Sequence, residues 1–596
     1  MVNLAPRCES ANPPAITLCK DPRIQNSLPM DTPSTNPPVA TLAGRKAGVR
    51  AFHPVMIALV IAMIAGILFV SLCTPQTLGI FSSDDSYYYF LTARNIVLGK
   101  GVTFDGINAT NGFHPLWMLA LMPVYAVTGG DHDLSLRLIY FLLLLLFSGS
   151  IALTFNLLNA SAGRIPALLT PLLFVNPVVF NLFFNGLESA LVIYLLLLLL
   201  NTARRTDLVS PRMGSRNQVL AGLLLGLVFL SRLDCAFHLL GLGLVAALVY
   251  RLPVWNPKAL PCLLRSYGLL LLVFALVVAP YFAWNLMANG HLTPISGTLK
   301  TSFPHAELQL CYLVAVRYAP FTLFVLFSII LSAIQSVKPT SPLRRLVATR
   351  GTGQPWAVLF VGLWLGCLLH YGYTLFFTTW GTQQWHFASY LPVALLCAGW
   401  LISRAAASSH RWVVPGLAGV VLFVSCTTLA LSVVEKAKQH GNWNDAAIWA
   451  RDHTPKDSVF GMTDAGYFAY FSRRTTVNLD GLINGYEYQT ALASGTLDQY
   501  FAHCGINYIS DYEVPASNVW FHRVILNHLF YAEQIMGKRG YDLVFPCDET
   551  VYRSHPYAPY ELLTHHGSRP RIVFCIWPYK AGRLVTSSVP SSPVTL

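Results

Sequence analysis

Charge is what this chain has least of. Of its 596 residues only 11% are Asp, Glu, Lys or Arg, against about 25% in an ordinary soluble domain. A chain so poor in charge is not solvated by water over most of its surface. The twelve cysteines contain no CxxC pair, which removes the usual sequence signal of a zinc or redox site. Cys262, Cys367, Cys397 and Cys426 fall in or beside apolar stretches and read as small core residues. Cys504, Cys547 and Cys575 form an odd trio in the tail, with room for one disulfide at most. No internal repeat is visible, so the paired halves common in secondary transporters are missing.

Long apolar runs are there instead. Mean hydropathy is +0.51, and stretches such as FLLLLLFSGSIALTFNLL and ALVIYLLLLLL suit segments of about 20 residues that cross roughly 30 Å of hydrocarbon. Spans are predicted near 52–73, 134–158, 164–184, 187–202, 217–231, 235–251, 265–288, 312–334, 355–378, 387–403 and 412–434. The fold class that follows is a polytopic α-helical membrane protein of about eleven transmembrane helices with a small α/β outer C-terminal domain. Residues 1–50, rich in Pro, Ser, Thr and Asn, read as a disordered cytoplasmic tail. Residues 51–435 make the transmembrane domain, with an outer loop over 74–133, and 436–596 the extracytoplasmic domain.

The net charge of +13 sits mainly in short loops, a distribution that reports topology and not a nucleic-acid partner. With the N-terminus inside, Arg164, then Arg204, Arg205, Arg212 and Arg216, then Arg251, Lys258 and Arg265, then Lys338, Arg344, Arg345 and Arg350, and finally Arg404 and Arg411 all fall on the inner side. This agreement requires that residues 114–128, short and with two prolines, lie at the outer face as a juxtamembrane or re-entrant helix.

The threading gathers polar residues on the outer side: Asp84, Asp85, Arg94, Asp105, His114, Glu188, Arg232, Asp234, Lys300 and His386. Ser82, Ser83 or Asp84 can cap a helix over about 85–98, ended by Gly99 and Gly101. Capping explains one carboxylate, and two adjacent ones exceed what a cap needs. Tyr87, Tyr88 and Tyr89 suit anchoring among lipid headgroups. Asn108-Ala109-Thr110 matches a glycosylation sequon. Arg232 and Asp234 can pair with each other, and Glu188 opens an aliphatic span, an expensive place for an unused charge. Trp385 and Gln384 beside His386 suit a sugar face and its hydroxyls, and His370 reads as a satisfied bundle residue. In the tail SVFGMTD, TTVNLDG and INYISDY read as strands and AGYFAYF and LDQYFAHCG as helices, with Asp464 and Asp480 at strand ends as turn caps or binding residues.

The loop DDSYYYFLTARNIVLGKGVTFDGINATNGFHPLW, together with NGLESALVIYLLLL and GYFAYFSRRTTVNLDGLIN, resembles bacterial members of the GT-C superfamily of membrane glycosyltransferases. The resemblance implies a polyprenyl-phosphate-sugar donor, an extracytoplasmic glycan, lipid or protein acceptor, and a loop Asp as catalytic base, with Asp84 the first candidate and Asp85 beside it. Arg94, Asn95, His114, Glu188, Arg232, Lys300 and His386 are then the candidate substrate-binding residues. No cofactor is expected. A divalent metal held by Asp84, Asp85 and Glu188 is the variant that pyrophosphate donors use. A secondary transporter and a non-catalytic scaffold are the competing readings.

Overall fold

The computed structural model describes residues 57, 59–252, 260–306, 315, 321–326, 355–378, 382–408, 413–512, 514–515, 521–525, 541–554 and 573–586. The expected tail over 1–50 and most of the expected span over 312–334 lie outside them.

The helices used below are α1 (Leu59–Leu72), α2 (Asp84–Val97), α3 (Pro115–Thr128), α4 (His132–Ser161), α5 (Pro177–Phe184), α6 (Ser189–Arg205), α7 (Ser215–Ser231), α8 (Ala236–Tyr250), α9 (Leu260–Asn289), α10 (Ile295–Leu299), α11 (Pro355–Phe377), α12 (Leu391–Ser408) and α13 (Val413–His453). Among the described residues six helices are long and apolar enough to cross a membrane, or seven if the bent pair α5 and α6 counts as one span. The expectation of about eleven is therefore not met by these residues. The stretch 164–184 breaks into Arg164–Leu168, Thr170–Phe174 and α5, because Pro166, Pro171 and Pro177 each remove an amide donor and favour a fresh helix start. α5 and α6 meet at 102°, with Gly186 in the left-handed region between them. α7 has 17 residues, at the lower limit for a span, and the described part of α1 only 14. α3 is likewise a 14-residue helix, about 21 Å long at 1.5 Å per residue.

Two helices show what solvates this protein. In the apolar windows of α9 and of Val413–Val434 only 6% of residues are buried by protein, leaving Leu271, Leu272, Leu276, Val420 and Phe423 bare. Apolar faces of this extent are not stable against water and match a hydrocarbon solvent. Elsewhere the helices pack tightly. A Cβ on Gly241 of α8 would lie 2.5 Å from the Gly362 carbonyl oxygen and the Gly366 amide of α11, so the GxxxG stripe of α11 brings the two backbones into contact.

α13 runs unbroken for 41 residues, so the composition change at 435/436 falls inside a helix that continues from an apolar segment into the C-terminal domain. There β1 (Val459–Met462), β2 (Thr475–Asn478), β3 (Tyr508–Tyr512), β4 (Val514–Pro515), β5 (Phe521–Ile525), β6 (Tyr541–Pro546), β7 (Tyr552–Arg553), β8 (Phe574–Pro578) and β9 (Leu584–Thr586) form two sheets. The first has the order β2-β1-β3-β8-β7, with β1 parallel to β2 and β3 and the remainder antiparallel. The second, β4-β5-β6-β9, is antiparallel. α14 (Gly466–Ser472) connects β1 to β2, followed by α15 (Tyr486–Ser494) and α16 (Leu497–Cys504). The strands and helices read from the tail sequence are all present, within three residues of where the apolar pattern puts them.

This domain is docked on the loop that precedes α3. Tyr87 is buried against Tyr467, Tyr470 and Phe471 of α14. Tyr88 and Tyr89 are buried as well, so the three tyrosines are interior residues and not headgroup anchors. Asn108 of the sequon is also buried, its amide nitrogen donating to Asp105 Oδ2 at 2.7 Å and standing beside the Cys504 thiol. Gly112 passes so close to the domain that a Cβ would sit 2.1 Å from the Leu482 carbonyl oxygen. Gly112→Ala is expected to destabilise the protein by about 1–3 kcal/mol through this backbone clash. Thermal unfolding of the purified protein in detergent checks it, and an unchanged Tm would mean that loop and domain are not docked.

Candidate active site

α2 begins with two carboxylates, and successive helical residues point about 100° apart. Asp84 turns toward the C-terminal domain. Its Oδ1 accepts from the Tyr467 amide at 2.7 Å and its Oδ2 from the Gly466 amide at 3.0 Å. The residue at the N-cap of α14 is Ala465, which has no side-chain acceptor, so Asp84 supplies from a distant loop the cap that α14 lacks. Burial, with Asp464 adding, holds the Asp84 carboxyl well above the usual range, against the pull of the two amides. Beside it the Tyr88 hydroxyl donates to Asp480 Oδ2 (3.1 Å) and accepts from the Ala465 amide (3.2 Å) and Asn478 Nδ2 (3.0 Å). Asp480 also accepts the Leu482 amide at 2.8 Å, which makes it a turn cap.

Asp85 points instead into a half-open cleft of about 520 Å³, mouth included. Tyr88, Tyr89, Phe113 and His114 of the loop form one side of it, Leu187 and Glu188 of the α5–α6 bend another. Arg232 comes from the α7–α8 junction, Ser296 and Lys300 from α10 and its end, Trp385 and His386 from the turn before α12, and Leu482 from the C-terminal domain. Burial raises the Asp85 carboxyl above its ordinary range, and the positive charge of Lys300 opposes that shift.

Behind the cleft runs a buried chain of charge. Arg232, 2% exposed, donates from Nη1 to Glu188 Oε1 at 2.6 Å. The other edge of its guanidinium grips Asp234, from Nε to Oδ1 at 3.1 Å and from Nη2 to Oδ2 at 2.6 Å. His370 Nε2 lies 3.5 Å from Asp234 Oδ2, and its Nδ1 meets the Tyr390 hydroxyl at 2.8 Å. The expected Arg232–Asp234 pair thus exists, but it is one link of a longer chain. His114 Nδ1 accepts the Leu233 amide at 3.2 Å, which in the neutral ring leaves the proton on Nε2, 3.8 Å from Glu188 Oε1. Burial lowers the His114 pKa.

The structure therefore brings together Asp85, His114, Glu188, Arg232, Lys300 and His386 around one cleft. It places three other sequence candidates outside it. Asp84 caps α14; Arg94 Nε donates to the Gly130 carbonyl at 2.7 Å; and Asn95 Nδ2 donates to the carbonyls of Thr103 and Phe104, each at 3.0 Å. The last two residues fasten the loop to itself. Asn111, a polar loop residue outside the candidate set, clamps the loop to the end of α9 through Asn285 Oδ1 (2.7 Å) and to the start of α10 through the Ile295 amide (2.9 Å). Among the described residues no group of three or more His, Cys, Asp or Glu is arranged to hold a metal ion, since Asp84 turns away from Asp85 and Glu188.

Residues 432–567 match a family described as a domain of unknown function (DUF8728). No curated protein matches the chain. Solved structures that it is similar to include ArnT from Cupriavidus metallidurans bound to undecaprenyl phosphate, with a TM-score of 0.49 and 11% identity over 87% of this chain and 97% of that one. The oligosaccharyltransferase of Archaeoglobus fulgidus in its apo form gives a TM-score of 0.43 and 13% identity over 76% and 69%. The archaeal oligosaccharyltransferase AglB from Archaeoglobus fulgidus, in complex with an inhibitory peptide and a dolichol-phosphate, gives 0.38 and 12% over 75% and 69%.

The role of Asp84 is checked by stability. Asp84→Ala leaves two buried amides without acceptors and is expected to cost about 1–3 kcal/mol, whereas Asp84→Asn keeps one acceptor oxygen and costs less. Comparing the Tm of both variants with that of the wild type tests the cap, and equal Tm values for all three proteins would refute it.

Proposed function

We propose that this chain is a glycosyltransferase that moves a sugar from a polyprenyl-phosphate donor to a hydroxyl of an acceptor on the outer side of the membrane, with Asp85 as the base. The observation that carries the reading is the position of Asp85. It is the one carboxylate of the loop pair that faces the cleft, and Lys300 stands beside it. The GT-C-like pattern of the loop supplies the reaction class.

The chemistry asks for few groups. The acceptor oxygen attacks the anomeric carbon, its proton passes to the Asp85 carboxylate, and the bond from that carbon to the phosphate oxygen breaks. The charge that develops on the departing lipid phosphate then needs a fixed cation. Arg232 is held between Glu188 and Asp234, so in this reading the phosphate falls to Lys300, which makes no ion pair among the described residues. The lipid tail is accommodated by the same stretch of chain. α9, whose apolar face protein leaves uncovered, leads through residues 290–294 into α10 and Lys300. Trp385 and His386 line the remaining wall, where a sugar ring would lie. In the same reading the N-terminus is cytoplasmic and the C-terminal domain extracytoplasmic.

Transfer from labelled polyprenyl-phosphate sugars to an envelope extract tests the proposal at equal folded amounts of each protein. Asp85→Asn is expected to lower the rate by about 10²–10⁴-fold, and Lys300→Gln by about 10²–10³-fold, while Asp84→Asn, which keeps one acceptor oxygen for α14, is expected to leave the rate per folded molecule within about threefold. Because the base must be ionised, kcat/KM should fall as pH drops through the Asp85 pKa, at a pH above that of an ordinary aspartate. Removing Lys300 takes away the cation that holds this pKa down, so Lys300→Gln should move the acid limb to still higher pH. Full activity of Asp85→Asn would overturn the base assignment. Wild type inert with every donor would favour the transporter or scaffold reading.

A further inference from the structure

The turn that leads into α12, Gln384–Tyr390, opens with a reciprocal cap between Gln383 and His386. The Gln383 amide donates to His386 Nδ1 at 2.8 Å, and the Gln383 side chain accepts the amide of His386 in return. A backbone amide can only donate, so Nδ1 must offer a lone pair. The Gln383 carbonyl, 3.2 Å from the same nitrogen, would suit a protonated Nδ1, but the nearer amide would then meet it proton against proton. His386 is therefore the neutral tautomer, with its one N–H on Nε2. His114 is wired alike, its Nδ1 accepting the Leu233 amide, but its Nε2 faces Glu188.

His386 differs at that second nitrogen. No described residue bonds Nε2, and unlike the bare Nδ1 of His238 it is not sealed inside the protein. With Nδ1 tied back to its own turn, the ring carries Nε2 on its far edge, toward the cleft that His386 lines. Of the charged groups, Lys300 acts on the ring most strongly, ahead of Arg232 and Asp234. A neutral N–H held in one direction thus stands beside the cation to which the phosphate falls.

Resting on the donor reading above, we propose that His386 Nε2–H hydrogen-bonds a non-bridging oxygen of the donor lipid's phosphate while Lys300 supplies the charge. As the bond from the anomeric carbon to the phosphate oxygen breaks, its electron pair stays on that oxygen and the proton stays on Nε2. The histidine steadies the growing charge without acting as an acid. The wall that receives the sugar then ends at His386, with Trp385 left to the ring. One cation and one neutral donor match the single charge of a phosphodiester, and a diphosphate-linked donor would bring charge that they do not meet. The ligand class is therefore a polyprenyl lipid linked through one phosphate.

Equilibrium binding of undecaprenyl phosphate and of undecaprenol to the full chain in nanodiscs tests the assignment, at equal folded amounts of each protein. Wild type is expected to prefer the phosphate by about 100-fold or more. His386→Phe, which keeps a ring but no donor, should cut that preference about tenfold. His386→Gln, whose side-chain amide can place an N–H where Nε2 stands, should keep it within about threefold. A histidine that only packs the turn would give equal losses in the two variants, or weaken phosphate and alcohol alike. Either result would overturn the assignment, as would a full preference for the phosphate in His386→Phe. Failure of wild type to tell phosphate from alcohol would instead sink the donor reading beneath it.

Discussion

The arrangement of the cleft depends on one hydrogen-bonded joint, the grip of Asp84 on the amides of Gly466 and Tyr467. It fixes α2 in rotation about its own axis. With Asp84 committed to the C-terminal domain, the next residue is carried about 100° round the helix and points into the cleft. The joint is reinforced by the Tyr88 hydroxyl among Asp480, Asn478 and Ala465, and by the rings of Tyr87 and α14. The domain thus contributes Leu482 to the wall and, more importantly, the orientation of the loop. This gives the tail a physical role without any chemistry of its own: it is the template against which a glycine-rich, polar loop is held in one conformation. The unbroken course of α13 from an apolar segment into the domain couples that template to the helical bundle.

Much of this was legible in the sequence, and the failures have definite causes. The α2 helix, Leu233–Tyr250, α9, α11 and the strands of the tail fall close to where apolar period and turn residues put them, because each is specified by local pattern. The span count was less legible. Apolar length does not distinguish a span from apolar helices broken by proline, as over 164–184, or bent at a glycine, as at Gly186. Among site residues, those that converge on the cleft were recognisable as charges that an apolar chain tolerates only with a partner or a use, as with Glu188 and Arg232. Which of Asp84 and Asp85 faces the cleft was not recognisable, because the amides that capture Asp84 lie more than 380 residues away in the chain. The same long-range packing turned three tyrosines from expected lipid anchors into the core of an interdomain contact. The partners of Arg94 and Asn95 were not legible for a different reason: they are carbonyls of the adjacent loop and turn, and backbone acceptors leave no mark in a sequence.

The charge chain behind the cleft is better understood as a positioning device than as a source of stability. Taking Glu188, Arg232 and Asp234 out of water carries a desolvation penalty that their mutual attraction seldom exceeds by much, and two carboxylates on one guanidinium leave an excess of one negative charge when all three are ionised. An apolar triplet of the same volume would hold α7, α8 and the α5–α6 bend together at less cost. What it would not do is occupy the guanidinium so that it is unavailable to a phosphate. This follows from the bidentate grip of Asp234 on Arg232 and from the bond of Arg232 to Glu188. Lys300 is then the cation left to the cleft, with Asp85 lining the same space. In the proposed reaction the guanidinium thus stays committed to its two carboxylates, while the charge on the departing phosphate is met by Lys300.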